Sequence, residues 1–220
     1  MKTLTGDELD ALNRVKEDIN ITIESNFSSF GPEFVKNLTS LSPIFSSLFF
    51  KILNHNPENK DWKNRDRVFA TNNFSNIVKN ITKIHSGYEK FDNLKAYLEL
   101  NSFEKVENSF AEAIGHHIST KDSEDKHQRY YYVVGDEKDI FANLSSLEYI
   151  YQNKIHNIIT ILYTKSSNEE LNKENRLNAK LMSFGFDTLV VTADNVGSVC
   201  DAIVYAKKLK KPTIILGNVS

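Results

Sequence analysis

Cysteine occurs once in the 220 residues, tryptophan once, methionine twice, proline four times and glycine eight times. The single thiol, Cys200, excludes an internal disulfide, which fits a reducing compartment. Cys200 lies in an apolar-periodic stretch and reads as a small core residue rather than a nucleophile. Long apolar runs are also missing. The longest stretches, Leu41 to Leu53 and Asn157 to Tyr163, are too short or too interrupted to cross a bilayer. The polar start, Met1 to Glu8, reads as the lead-in to a helix, not as a signal peptide. A cytoplasmic protein is therefore the expectation. Excess charge is lacking too: Lys and Arg number 27 against 29 Asp and Glu, a formal net charge of -2. No global field then draws the chain to nucleic acid or membrane. Lys207, Lys208, Lys210 and Lys211 read as the solvated end of a helix. Gly, Pro and Trp are scarce beside abundant Asn, Lys, Ile and Phe, a bias typical of AT-rich genomes that carries no chemical message.

What is present is an ordinary globular composition, 40% hydrophobic and 25% charged, long enough for one large α/β domain. The first third reads as helices. Asp7 to Ser25 carries Leu9, Leu12, Val15, Ile19 and Ile23 near helical spacing. Ser42-Pro43 opens a second helix through Ile44, Phe45, Leu48, Phe49, Ile52 and Leu53, stopped by the turn at Asn56 to Asn59. Arg67 to Thr71 reads as a short strand, and Asn73 to His85 as a helix ended by Gly87. The second half alternates. Strands are expected at Tyr130 to Val134, Asn157 to Tyr163, Thr188 to Thr192 and Pro212 to Leu216. Helices are expected at Asp139 to Gln152, Glu170 to Phe184 and Asn195 to Leu209, with Asn195 as an N-cap. This order implies a three-layer α/β/α sandwich with a mostly parallel sheet. No internal repeat, low-complexity linker or domain boundary interrupts residues 1–220, so one domain is expected.

Ligands of such sheets bind beyond the carboxyl ends of the strands. That rule points to Gly135-Asp136-Glu137 and to Thr164-Lys165-Ser166-Ser167. Other groupings are weaker. His116-His117 with His127 reads as a polar loop rim, because adjacent helical histidines point about 100° apart. Tyr130-Tyr131-Tyr132 lacks basic interleaving and reads as buried strand, not as a base-stacking platform. Asp136, Glu137 and Asp139 could form an acidic metal site. Ser145-Ser146 and Ser166-Ser167 lack a nucleophile motif.

A longer ordered pattern covers most of the chain. Ile44 to Pro57 leads into Asn59-Lys-Asp-Trp62 and Arg65-Asp66-Arg67, then Thr71-Asn72-Asn73-Phe74 and Gly87-Tyr88. It continues at Tyr132-Val-Val-Gly-Asp136, Asn157 to Ile161, Phe184-Gly185-Phe186 and Lys211 to Ile215. This series resembles the N-terminal, thiamine-diphosphate-binding domain of the transketolase family. The resemblance implies a diphosphate held through a divalent metal. The ligands would be an Asp in Gly-Asp-Gly, an Asn after the next strand and a main-chain carbonyl, with histidines and a glycine-rich loop around the phosphates.

Against that pattern Gly135 and Asp136 are retained, and Asp136 is the remaining candidate metal ligand. Glu137 replaces the final glycine and sets a carboxylate where a diphosphate would lie. The metal-binding Asn position falls on Lys165 or Ser166; a charged Lys has no lone pair for a metal. Lys165 either pairs with Asp136 in place of the cation or points to solvent. The two Gly-His positions become Glu33-Phe34 and Asn73-Phe74. The loop after Leu98-Glu99-Leu100 is nearly absent, Glu107 and Ser109 stand at glycine positions, and the loop after Tyr163 is short before Asn168. Gly135, Asp136, Glu137 and Lys165 are thus vestigial cofactor positions, and neither thiamine diphosphate nor Mg2+ is expected to be held. The expectation is a transketolase-like pseudoenzyme acting through protein contacts, with no catalytic residue of its own. The alternative is the N-terminal subunit of a split transketolase, using thiamine diphosphate and Mg2+ to transfer two-carbon ketol units between sugar phosphates. The expected partners are a second copy, giving a homodimer, or a separate pyrimidine-domain subunit. Phe27, Phe30, Phe34 and Phe74 are candidates for an exposed interface.

Overall fold

A computed structural model describes residues 4–91, 94, 108–121, 129–165 and 177–219, with Lys165 described by its backbone alone. Helix α1 (Gly6–Phe27) starts at a capping box: the Glu8 amide donates to Thr5 Oγ1 and the Thr5 amide to Glu8 Oε2. Leu12, Ile19, Ile23 and Phe27 form its buried stripe. Helix α2 (Pro32–Thr39) was not expected from the periodicity, though Pro32 stands in its first turn. It follows Gly31, whose φ of +95° suits a residue without a Cβ. The single helix expected from Ser42 onward is two pieces: α3 (Ser42–Ser47), wholly buried, then a π turn at Leu48–Ile52. Leu53 is extended, and its amide donates to the Leu48 carbonyl at 2.9 Å.

The remaining elements are β1 (Arg67–Ala70), α4 (Asn73–His85), α5 (Ser109–Lys121), β2 (Tyr131–Asp136), α6 (Glu137–Ala142), α7 (Leu144–Gln152), β3 (Ile158–Lys165), β4 (Asp187–Thr192), α8 (Val196–Leu209) and β5 (Thr213–Val219). Residues 177–183 are helical, ahead of Gly185 at φ +92°; the start expected at Glu170 lies outside the described residues. The five strands are all parallel, in the order β1-β2-β3-β5-β4. Asn195 caps α8 as expected, accepting from the Ser198 amide at 3.0 Å. One helix expected over Asp139 to Gln152 is split at Asn143, whose side chain donates to the Asp139 carbonyl at 2.8 Å. This local bond competes with helix continuation.

Alternation along β2 sends Tyr132 and Val134 into one core and Tyr131 and Val133 into the other. The first core packs α1 to α4 and α8 on the sheet; the second packs α5, α7 and 177–183 on the opposite face. This is the expected three-layer sandwich. Burying each large apolar side chain contributes about 1.5–3 kcal/mol. Cys200 is fully buried beside Leu12 and Val196, as a core residue should be. No helix among the described residues is long and apolar enough to cross a membrane.

Several expectations change at side-chain level. Lys207 is not solvated: its Nζ lies 4.5 Å from the centre of the Tyr130 ring and 4.0 Å from Asp66 Oδ2. The sequence position resembles a free helix end, but α8 packs that turn over the aromatic strand. His116 and His117 form no loop rim; they lie on α5, and the His116 ring stacks on buried Tyr131 with centroids 6.1 Å apart. His127 lies outside the described residues. Phe27 is buried, whereas Phe30 is 55% exposed. Tyr131 and Tyr132 are buried strand residues, as expected.

Candidate functional site

Three strand ends converge at the carboxyl edge of the sheet. Thr71 and Asn72 follow β1, Gly135 and Asp136 end β2, and Thr164 and Lys165 end β3. Parallel register sets Ala70 beside Val134 and Asp136 beside Tyr163. Gly135 and Asp136 are strand residues and not loop residues, and Glu137 is the first residue of α6. Thr164 and Lys165 likewise remain in β3, paired with Asn218 and Val219. The side chain of Lys165, and Ser166 and Ser167, lie outside the described residues, as do Leu98 to Leu100, Glu107 and Asn168.

One oxygen of the Asp136 carboxylate is engaged by its own helix. Asp136 Oδ1 accepts from the amides of Lys138 at 2.9 Å and Asp139 at 3.2 Å, capping α6. Asp139 answers: its Oδ2 accepts from the Asp136 amide at 2.9 Å, Thr71 Oγ1 at 2.5 Å and Asn72 Nδ2 at 2.9 Å. Asn72 Oδ1 in turn accepts from the Ser75 amide at 3.0 Å, capping α4, and from the Tyr163 hydroxyl at 3.0 Å. Thr71, Asn72 and Tyr163 were missed as site residues, and Asp139 was considered only as part of an acidic metal site with Asp136 and Glu137. The Asp136-to-Asp139 spacing does carry a capping-box signal; the rest meet only through strand register.

This network explains Gly135. A Cβ there would stand 1.8 Å from Thr71 Oγ1 and 2.7 Å from Asp139 Oδ2. Close side-chain packing, not approach of a phosphate, requires the glycine. Electrostatics point the same way. Burial, and then the neighbouring Asp139 carboxylate, push Asp136 above the ordinary carboxylate range, against the pull of the two amides. Burial also raises the Tyr163 phenol, so it stays a neutral donor.

Among the described side chains, Asp136 alone stands where the resemblance puts a metal ligand. Magnesium takes near-octahedral oxygen ligands. Of the acidic trio Asp136, Glu137 and Asp139, the first and last form the α6 capping box, with Asp139 turned to Thr71 and Asn72. Phe74 occupies the first turn of α4 and packs on Phe34 with ring centroids 5.2 Å apart. Glu33 and Phe34 lie on α2, not in an early loop. Neither ring can donate a hydrogen bond to a phosphate.

Residues 36–122 match the family model described as transketolase, thiamine diphosphate binding domain. By structure, the transketolase of Leishmania mexicana is similar over 94% of this chain and 36% of its own, at 16% identity and a TM-score of 0.78. The transketolase of Campylobacter jejuni is similar over 94% of this chain and 38% of its own, at 20% identity and a TM-score of 0.72. A mutant transketolase of Pichia stipitis gives 18% identity and a TM-score of 0.68 over 94% and 36%. No curated protein matches the sequence. The chain spans little more than a third of the length of these solved transketolases. It thus has the fold of the transketolase thiamine-diphosphate-binding domain.

Proposed function

We propose that this chain is a transketolase-like pseudoenzyme: a scaffold that has given up metal-bridged thiamine diphosphate and acts through protein contacts. The observation that carries this reading is the closed network of Asp136, Asp139, Thr71, Asn72 and Tyr163. A metal at Asp136 would compete with the α6 cap, and a diphosphate would meet carboxylates and Phe rings in place of donors. A hydrogen bond to a charged group is worth about 1.5–3 kcal/mol, so losing several removes several powers of ten in affinity.

The test is calorimetric titration of the purified protein with thiamine diphosphate in excess Mg2+. No saturable heat that requires Mg2+ and is lost on Asp136→Asn is expected. A second reading, the N-terminal subunit of a split transketolase that needs a separate pyrimidine-domain chain, draws on the retained Gly135-Asp136 pair at the end of β2. It requires clear binding in the same titration, and lower binding after Asp136→Asn. Under the leading reading the partner is a second copy or another chain docking on the aromatic surface of α2 and α4.

A further inference from the structure

The opposite end of the sheet carries a different feature. A cavity of about 230 Å³ opens along β1, the edge strand, and is lined by Lys60, Arg65, Arg67, Lys79 and Lys83. Its apolar floor is Phe49, Leu53, Val68 and Phe69, and Tyr88 forms a wall. Arg67 is level with Tyr131, five residues before Asp136, so the cavity lies about 16 Å along the strand from the capped site.

We propose that this cavity binds the phosphate group of a small anionic molecule, with Arg65, Arg67 and Lys83 as its donors. Two acids share the lining, and both are committed. Asp66 accepts from the amides of Asn54 and Tyr130 at 3.0 Å and 2.8 Å, and Glu89 pairs with Lys60. Arg65 Nη1 is buried with no hydrogen-bond partner among the described residues. An orphaned guanidinium donor is costly unless a ligand satisfies it. The Lys83 ammonium lies 5.6 Å from the centre of the Tyr88 ring, held over its face. Like charge accumulates here. Burial, then Arg65 and Lys60, lower the Lys83 ammonium against Glu89, and burial, then Arg65, lower Arg67. An anion between them would relieve both effects. The planar forks of two arginines suit the tetrahedral oxygens of phosphate. The volume is below that of drug-sized pockets, so the ligand is compact.

The experiment titrates the folded protein with inorganic pyrophosphate, and separately with inorganic phosphate, by calorimetry at low and moderate salt. Saturable binding that weakens with salt is expected. Arg65→Gln and Lys83→Met should each weaken it at least about tenfold. Asp136→Asn should leave it unchanged. Absence of saturable binding, or binding that survives both Arg65→Gln and Lys83→Met, overturns the proposal; binding that appears only with added Mg2+ and is lost on Asp136→Asn would instead return anion binding to the carboxyl edge and contradict the pseudoenzyme reading. Should Arg65→Gln fail to fold, Lys83→Met decides the matter, since its stem still covers Tyr88.

Discussion

Asp136 caps helix α6. Its folded-state pKa is raised by burial and by Asp139. The folded state therefore holds this proton more tightly than the unfolded chain. The resulting stabilisation is complete below the unfolded value, about 3.9, and is lost as pH rises through the folded value. Asn keeps the capping acceptor and never ionises. Asp136→Asn should thus gain stability over the parent as pH rises, by under about 1 kcal/mol because solvent reaches the carboxylate. Urea denaturation of both proteins from about pH 3 to about pH 8 checks the sign; a parent that gains on the variant toward neutral pH contradicts it. Gly135 and Asp136 were legible as a strand-end pair, but their roles were not. The partners Thr71, Asn72 and Tyr163 come from two other strands. Only the register of a parallel sheet brings them together, and periodicity carries no register.

Among the elements, strands were the most legible, because buried parallel strands read as β-branched and aromatic runs. All five expected runs are strands; Arg67 to Thr71 lost only its last residue to the turn, while β2, β3 and β5 run on past their expected ends to Asp136, Lys165 and Val219. Helix continuity was less legible. The π turn after Ser47 and the break at Asn143 leave the apolar period nearly intact, so sequence spacing joins what the backbone divides. The Arg65-Asp66-Arg67 stretch shows what a specific motif does locally. Asp66 ties the segment after the π turn to the start of β2 through the Asn54 and Tyr130 amides, with Lys207 reaching in from α8. Asp66→Ala would leave both amides and a partly buried cation unsatisfied. A loss of about 3 kcal/mol is expected in urea denaturation, with Asp66→Asn costing less. Equal costs for the two variants would contradict the bridging role.

For the whole molecule, the frame of transketolase's cofactor domain persists while its carboxyl edge is closed by internal hydrogen bonds. The proposed pseudoenzyme reading places function at surfaces. Phe30 is 55% exposed and stacks on Phe34 at 5.0 Å, which packs in turn on Phe74 at 5.2 Å. A ring cluster of this kind suits an interface anchor. Phe30→Glu should shift a self-associating sample toward monomer in sedimentation velocity while thermal stability changes little; an unaltered distribution removes this patch as the contact between copies. The central claim, that no metal-bridged thiamine diphosphate is held at Asp136, is tested most directly by crystals grown with thiamine diphosphate and Mn2+. Anomalous maps should show no manganese beside Asp136, with its carboxylate still capping α6. A manganese peak bonded to Asp136, with diphosphate density beside it, would contradict the account.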